Sequence, residues 1–229
     1  DKFGIEDITD SLFNTNAIHF TPIANEYTDE FICGMIEKCE RNDMIFGLDV
    51  QGLIRGFRKD GTIYMKKDDE TQQRILRIMK KFGNRMFFKG SDYENCAVAG
   101  IDDNIKATEF LAKTGCYILT TLGPNGLFVL QEERDLQYIP AYQPKEIVDE
   151  TGAGDCFMAT LMTQLGKKNV EEKGIKSIEE EIKMASAASS SLVEHKGPNG
   201  FRSKSEIMKR VRENRVMKAV EVYPIGKGK

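Results

Sequence analysis

The stretch that decides the fold reads Asp149-Glu150-Thr151-Gly152-Ala153-Gly154-Asp155, and it leads directly into an apolar helical pattern over residues 155–165. Gly152, Ala153 and Gly154 carry little or no side chain, so their backbone N–H groups can approach a ligand closely. They lie at the predicted amino terminus of a helix, where free N–H groups and the helix dipole favour an anion. The stretch therefore predicts a phosphate cradle.

Asp155 follows this cradle, although its carboxylate would repel bound phosphates. In phosphoryl transfer a carboxylate can orient an attacking hydroxyl and accept its proton, so Asp155 is a candidate catalytic base. Two other interpretations compete: a glycine-rich turn with Asp155 as helix N-cap, and a dinucleotide-binding fingerprint. Phe157 stands where that fingerprint needs its third glycine, which argues against a nicotinamide-dependent oxidoreductase. No G-x-x-x-x-G-K-[ST] motif occurs, so a P-loop nucleotidase is excluded.

Outward from this stretch, short apolar runs alternate with longer amphipathic ones. Strands are predicted at residues 17–21, 44–50, 86–90 and 116–121, with helices between them at 27–39, 69–82 and 102–113. This alternation predicts an α/β fold with a mostly parallel sheet covered by helices. We expect one domain over residues 1–229.

The carboxyl-terminal part of the chain has a different pattern of predicted elements. Pro124-Asn125-Gly126 is a turn signal before an apolar run at residues 127–130, which predicts a β-hairpin. A further strand is predicted at residues 137–141, helices at 155–165, 178–195 and 203–218, and a surface loop at 169–177.

Composition excludes several classes of function. The 33 Lys and Arg residues and 36 Asp and Glu residues give a net charge of −3, which offers no electrostatic reason to expect nucleic acid. Five scattered cysteines without a C-x-x-C pair indicate a reducing compartment, and two isolated histidines argue against zinc. No apolar run approaches the ~20 residues that span a bilayer, and no signal-peptide pattern is visible. We expect no membrane association and a cytoplasmic location.

At residues 149–155 the chain resembles the ribokinase family of carbohydrate kinases, also called the PfkB family, whose signature D-x-T-G-A-G-D agrees here at every fixed position. The resemblance implies a ribokinase-like three-layer fold. It also implies an ATP-dependent kinase that phosphorylates a hydroxyl of a small sugar, sugar acid or polyol. In that family the final aspartate, here Asp155, deprotonates the acceptor. The amides of Gly152, Ala153 and Gly154 would form the anion hole.

Other segments resemble the family in the same order. Residues 121–126 resemble its T-L-G-x-x-G loop along the nucleotide, although a simple hairpin turn explains them equally well. Residues 185–190 and the Lys196-Gly197 step resemble the small-residue helix and glycine beside the adenine, although small residues also permit close helix packing. The nucleotide contacts implied are Thr121, Gly123, Gly126, Thr151, Ser186, Ser190 and Gly197.

Two further segments concern the metal and the acceptor. Ser91-Asp92-Tyr93-Glu94 resembles the family's N-x-x-E, which implies that Glu94 organises Mg²⁺ through water, while Ser-x-x-Glu is also a helix capping box. Asp49, Gln51 and Arg55 lie in a segment, residues 49–55, that resembles the D-x-Q/N-x-x-R-like segment of sugar-acid and inositol kinases, and the resemblance implies acceptor binding. A surface arginine after a strand is the alternative for Arg55.

The resemblance begins part-way through the family's sequence pattern. Its opening G-G-x-x-x-N substrate motif and small β-sheet lid have no counterpart here, so we expect the amino-terminal substrate portion to be absent. The expected cofactors are ATP and Mg²⁺, with a monovalent cation left open, as is a homodimer. The alternatives are a nucleoside or vitamin kinase on the same fold and a nucleotide-binding protein without catalysis.

Overall fold

The computed structural model describes residues 4–167 and 178–218. Strands and helices alternate along the first part of the chain, and helices dominate the last part. The strands are β1 Ala17–Phe20, β2 Ile45–Asp49, β3 Arg55–Phe57, β4 Ile63–Met65, β5 Met86–Ser91, β6 Tyr117–Thr121, β7 Leu127–Leu130 and β8 Gln137–Ile139. The α-helices are α1 Asp29–Arg41, α2 Gln51–Ile54, α3 Asp69–Phe82, α4 Asp92–Ala99, α5 Asn104–Ala112, α6 Ala153–Leu165, α7 Glu179–Leu192 and α8 Lys204–Glu213.

Six of these strands form one sheet in the order β1-β2-β5-β6-β7-β8. The first four run parallel, and β7 and β8 return antiparallel at one side. Strands β3 and β4 form a separate antiparallel pair. Because the four parallel strands end at the same edge, their carboxyl-terminal residues converge there, which is where parallel sheets bind ligands.

Five of the described helices (α1, α3, α4, α5 and α8) begin at a residue whose side chain caps them. The Thr28 hydroxyl accepts a hydrogen bond from the Phe31 N–H (3.1 Å), and the Asp68 carboxylate accepts one from the Thr71 N–H (2.9 Å). Such caps satisfy amide groups that lack a partner inside the helix. The apolar stripe of α3 is buried, as its spacing predicts: Ile75, Ile78, Met79 and Phe82.

Two apolar layers cover the sheet, one on each face. Phe88 packs in the layer that contains residues of α1, α3, α4 and α5, whereas its neighbour Phe87 packs with Met158 and Leu161 of α6 and with Ile182 of α7. Successive strand residues point to opposite faces, so this division follows from the alternation within β5. The result is a three-layer arrangement of helices, sheet and helices.

Most of the predicted elements are confirmed, including the alternation, the parallel sheet and the hairpin after residue 121. The helix predicted at residues 203–218 is wrong at its end, because Asn214 adopts a left-handed conformation (φ 48°) that stops α8 at Glu213. The predictions missed α2 and the β3–β4 pair, and they marked α4 only by the capping box at residues 91–94. The loop predicted at residues 169–177 lies outside the described residues. Among those described, no helix combines the length and the apolar character needed to cross a bilayer.

Candidate active site

The amino terminus of α6 forms the centre of the site. Gly152 is its N-cap and adopts a left-handed conformation (φ 81°), which glycine reaches without steric cost. The helix starts at Ala153, so Asp155 is its third residue and is exposed. The interpretation of Asp155 as the N-cap is therefore wrong. Its carboxylate instead stands within the same helical turn as the amides of Ala153 and Gly154.

Contacts from α7 and the preceding loop hold this turn in position. The Ser189 hydroxyl donates to the Ala153 carbonyl (2.7 Å). The Asp149 carboxylate accepts hydrogen bonds from the N–H groups of Thr151 (2.9 Å) and Gly197 (3.3 Å). The bonds from Thr151 hold the pKa of Asp149 below its ordinary value, with a smaller contribution from Gly197. Asp149 thus joins two segments that the resemblance assigns to the nucleotide.

A cleft opens between this turn, the β6–β7 hairpin and α7. It brings together seven of the residues predicted for the anion hole and the nucleotide: Thr121, Gly123, Gly126, Ala153, Gly154, Ser186 and Ser190. Its apolar lining also includes Phe157 and residues for which the sequence predicted no role, namely Leu127, Tyr142, Ile147, Val193 and Met217. Thr151 and Gly197 do not line the cleft but are joined through Asp149. The Ala153 N–H donates to the Glu150 carbonyl (3.2 Å). A mostly apolar cleft that ends at the amino terminus of α6 suits a nucleotide with its phosphates.

A buried ion pair lies beside the cradle, and its lysine was not predicted from the sequence. Lys89 and Asp49 are register partners on β5 and β2, and Nζ of Lys89 lies 2.7 Å from Oδ2 of Asp49. The side chains are only 10% and 5% exposed. A Cβ added to Gly154 would lie 2.7 Å from the same Nζ atom, so the ammonium group touches the cradle. The available signal was a lysine at the end of the otherwise apolar strand at residues 86–90.

His19 belongs to the same cluster and was also missed. It pairs in register with Gly47, which faces α6, since a Cβ there would lie 2.9 Å from Sδ of Met162. Within the part of the chain that the structure describes, Nε2 of His19 is buried without a hydrogen-bond partner. Burial lowers the pKa of His19 below its ordinary value, although the charges of Asp49 and Asp155 act in the opposite direction. The imidazole is therefore neutral at neutral pH.

Glu94 is buried at the start of α4, immediately after β5. Oε2 of Glu94 accepts from the Ser91 N–H (2.7 Å), and the Ser91 hydroxyl accepts from the Glu94 N–H (3.3 Å). The capping-box prediction is confirmed. No group of three or more His, Cys, Asp or Glu side chains among the described residues could hold a metal ion. A site with one carboxylate fits Mg²⁺, which is usually held by few protein ligands together with phosphates and water.

The remaining predicted acceptor residues lie on the β1 and β2 side of the sheet. The N–H of Gln51 donates to Oδ1 of Asp49 (3.2 Å), so Gln51 opens α2 directly after the ion pair. The Arg55 guanidinium donates to the carbonyl of Ile23 (3.4 Å), in the segment that follows β1. Arg55 is therefore tied to the edge of the sheet.

The fold and this arrangement define a ribokinase-like protein: a three-layer α/β sheet with a glycine-rich helix amino terminus at the carboxyl edge of its strands. The sequence profile of the pfkB family carbohydrate kinases matches residues 68–204, which is more than half of the chain. The chain belongs to the pfkB family of carbohydrate kinases.

Solved structures with the same fold are less similar in sequence. Arabidopsis thaliana ribokinase, complexed with ribose and ATP, is 18% identical with a TM-score of 0.68 over 92% of this chain and 60% of its own length. Salmonella enterica aminoimidazole riboside kinase, complexed with aminoimidazole riboside and an ATP analog, is 22% identical. Its TM-score is 0.67, and the match covers 85% of this chain and 62% of the kinase. Vibrio cholerae fructokinase, bound to fructose, ADP and calcium, is 17% identical. Its TM-score is 0.71, and the match covers 92% of this chain and 65% of the fructokinase. This chain spans less than two thirds of each.

Proposed function

We propose that this protein transfers the γ-phosphoryl group of ATP to a hydroxyl of a small sugar, sugar acid or polyol. The observation that carries the proposal is the first turn of α6, where Asp155 stands beside the amides of Ala153 and Gly154. A carboxylate base and an anion cradle on one turn serve the two ends of a phosphoryl transfer. The family and the ATP-bound ribokinase support this assignment.

The nucleotide would occupy the cleft between the β6–β7 hairpin and α7. Apolar side chains such as Leu127 and Val193 suit the base, while Gly123 and Gly126 let the backbone approach the nucleotide closely. The phosphates would then lie at the amino terminus of α6, where the helix amides favour negative charge. Bound Mg²⁺ would supply neutralising charge on the phosphates, and Glu94 would hold it through water.

Asp155 would accept the proton of the acceptor hydroxyl as its oxygen attacks the γ-phosphorus. The new O–P bond forms while the bond between the γ-phosphorus and the β–γ bridging oxygen breaks, so ADP leaves with that electron pair. The amides of the cradle stabilise the charge on the phosphoryl group in flight. Gln51 and Arg55, on the side of the sheet formed by β1 and β2, would contact the acceptor.

A nucleoside acceptor is the second candidate, because one structure with this fold is a riboside kinase bound to its riboside. The retained Asp155 argues against a nucleotide-binding protein without catalysis. A vitamin acceptor has no comparable support. The monovalent cation, the homodimer and the cytoplasmic location stay predictions.

The test measures ADP release with ATP, Mg²⁺ and a panel of sugars, polyols (myo-inositol included) and nucleosides. Because the chain spans less than two thirds of the structures above, the complete open reading frame is assayed beside the 229-residue chain. Asp155→Asn should lower turnover by roughly 100- to 10,000-fold and leave ATP binding intact. Asp69→Asn, at an exposed position in the first turn of α3, is the matched control and should behave as wild type.

Three outcomes would contradict the proposal. One is comparable turnover in Asp155→Asn. The second is turnover of no acceptor in either form of the protein, and the third is no stabilisation of either form by ATP. Which acceptor gives the highest kcat/KM decides between the polyol and nucleoside candidates.

A further inference from the structure

The parallel sheet buries a positive charge where apolar residues are the rule. Lys89 follows Met86, Phe87 and Phe88, which are fully buried, and its own side chain remains only 10% exposed. Lysine is almost never buried unless it is paired, because the charged ammonium group loses its hydration. Asp49 supplies the partner at 2.7 Å, on the neighbouring strand.

The position of this ion pair connects it to the phosphate cradle. A methyl group added to Gly154 would meet Nζ of Lys89 at 2.7 Å and its Cε at 3.5 Å. The ammonium group of Lys89 therefore lies against the backbone of Gly154, the last residue of the cradle. An anion that binds the Gly154 amide would stand within a few ångströms of a full positive charge.

We propose that Lys89 is a catalytic residue that donates hydrogen bonds to the transferring phosphoryl group, with Asp49 as its positioning residue. This inference rests on the proposed phosphoryl transfer. It gives Asp49 a role different from the acceptor contact that its sequence motif implies. The side chain of Lys89 completes an anion site whose other donors are backbone amides.

The charge balance at the cradle explains the need for such a residue. Asp155 places a carboxylate beside the position of the phosphoryl group, and Asp49 adds a second negative charge nearby. Lys89 offsets this repulsion, because a charge inside a water-poor site acts more strongly than it does in bulk water. His19, the other titratable group of the cluster, is neutral at neutral pH and adds no positive charge.

The geometry also implies that Lys89 loses little side-chain conformational entropy when it contacts the phosphoryl group. An exposed lysine loses the freedom of several side-chain torsions when it binds a phosphate. Lys89 has already lost that freedom, because the sheet, Asp49 and the backbone of Gly154 surround it. Its ammonium group therefore stabilises transferred charge without reorganisation.

The experiment compares the binding of ADP–Mg²⁺ with that of ADP–Mg²⁺–aluminium fluoride, a mimic of the phosphoryl group in transfer. Lys89→Met leaves Asp49 as an unpaired buried charge, so it is accompanied by Lys89→Met/Asp49→Asn, in which neither charge remains. Lys81→Met is the matched control, because Lys81 forms an exposed ion pair with Glu37 on the opposite face of the sheet from α6. Melting temperatures without ligand are measured for every variant.

We expect both Lys89 variants to bind ADP–Mg²⁺ as wild type does, and to bind the aluminium fluoride complex roughly 100-fold or more weakly. Asp49→Asn should weaken only the aluminium fluoride complex, whereas a merely structural loss would weaken both complexes equally. Lys81→Met should match wild type in both.

Unchanged aluminium fluoride binding in folded Lys89 variants would overturn the role of Lys89 and leave the proposed function intact. Weakened binding together with no turnover of any acceptor would support Lys89 and overturn the proposed function. A wild-type protein that binds neither complex would overturn both. Failure of both Lys89 variants to fold would count against the proposal, because it would make the ion pair structural.

Discussion

The hydroxyl of Ser189 donates a hydrogen bond of 2.7 Å to the carbonyl of Ala153, and it thereby joins the last turn of α7 to the first residue of α6. Ser189→Ala should therefore lower the free energy of unfolding by about 1 kcal/mol and raise the KM for ATP, because the cradle loses its tether to α7. Chemical denaturation and steady-state kinetics measure the two effects.

Ser191→Ala is the control for this prediction. The Ser191 hydroxyl donates to the Ala187 carbonyl within α7 itself (3.1 Å), so its loss should leave the KM for ATP unchanged. Equal KM values in wild type and Ser189→Ala would mean that the tether does not position the cradle.

Gly126 and Gly123 form a matched pair within the loop that lines the cleft. Gly126 has φ 91° and a Cβ there would lie 2.2 Å from the Ile139 carbonyl oxygen, whereas Gly123 has φ 57° and nothing within 4 Å of its Cβ position. Gly126→Ala should therefore destabilise the protein by more than about 2 kcal/mol, and Gly123→Ala by about 1 kcal/mol. Thermal and urea unfolding of the two variants checks this, and a larger effect at Gly123 would contradict the described loop.

Glu94 caps α4, and a single substitution can separate this role from the proposed role in organising Mg²⁺. Glutamine also completes a capping box, so Glu94→Gln should keep the melting temperature, while Glu94→Ala should cost about 1 kcal/mol. If Glu94 also organises Mg²⁺, Glu94→Gln should need a higher Mg²⁺ concentration for half-maximal turnover. A Mg²⁺ titration decides this, and a curve identical to wild type would leave Glu94 with capping alone.

His19 should make stability depend on pH. Its pKa is lowered by burial from 6.5, so on acidification the unfolded chain binds the proton first. Stability should therefore fall as the pH drops from about 6.5 toward the pKa of the folded state. His19→Gln should flatten this part of the profile, which unfolding experiments between pH 7.5 and 5.5 measure. His195→Gln is the control, and a flattened profile in that variant alone would contradict the assignment to His19.

The fold was readable from sequence because its elements have local signals. The stripe Ile75, Ile78, Met79 and Phe82 gives α3 over residues 69–82, and the turn at Pro124-Asn125-Gly126 gives the hairpin. The end of α8 was not readable, because whether Asn214 continues or stops a helix depends on a left-handed conformation that asparagine adopts only in some contexts.

Only part of the site could be predicted from the sequence, because some of its residues meet only in the folded sheet. The cradle and Asp155 are contiguous in sequence, so one motif predicts them together. The cluster of His19, Asp49 and Lys89 depends on strand order and register, since Asp49 and Lys89 meet only because β2 pairs with β5 at that residue. The helix was predicted to begin at residue 155, which is two residues late. The left-handed conformation of Gly152 decides the first helical residue, because this conformation starts α6 at Ala153.

Asp155 and Gly154 are consecutive residues of one rigid turn, so any movement of α6 carries the proposed base and the phosphate cradle as a single body. Covalent geometry fixes the distance between their Cα atoms at about 3.8 Å. The residues assigned to the acceptor, Gln51 and Arg55, lie instead at the start of α2 and at the start of β3, outside α6. Divergence of those segments can therefore change which alcohol is accepted while the transfer chemistry is inherited intact.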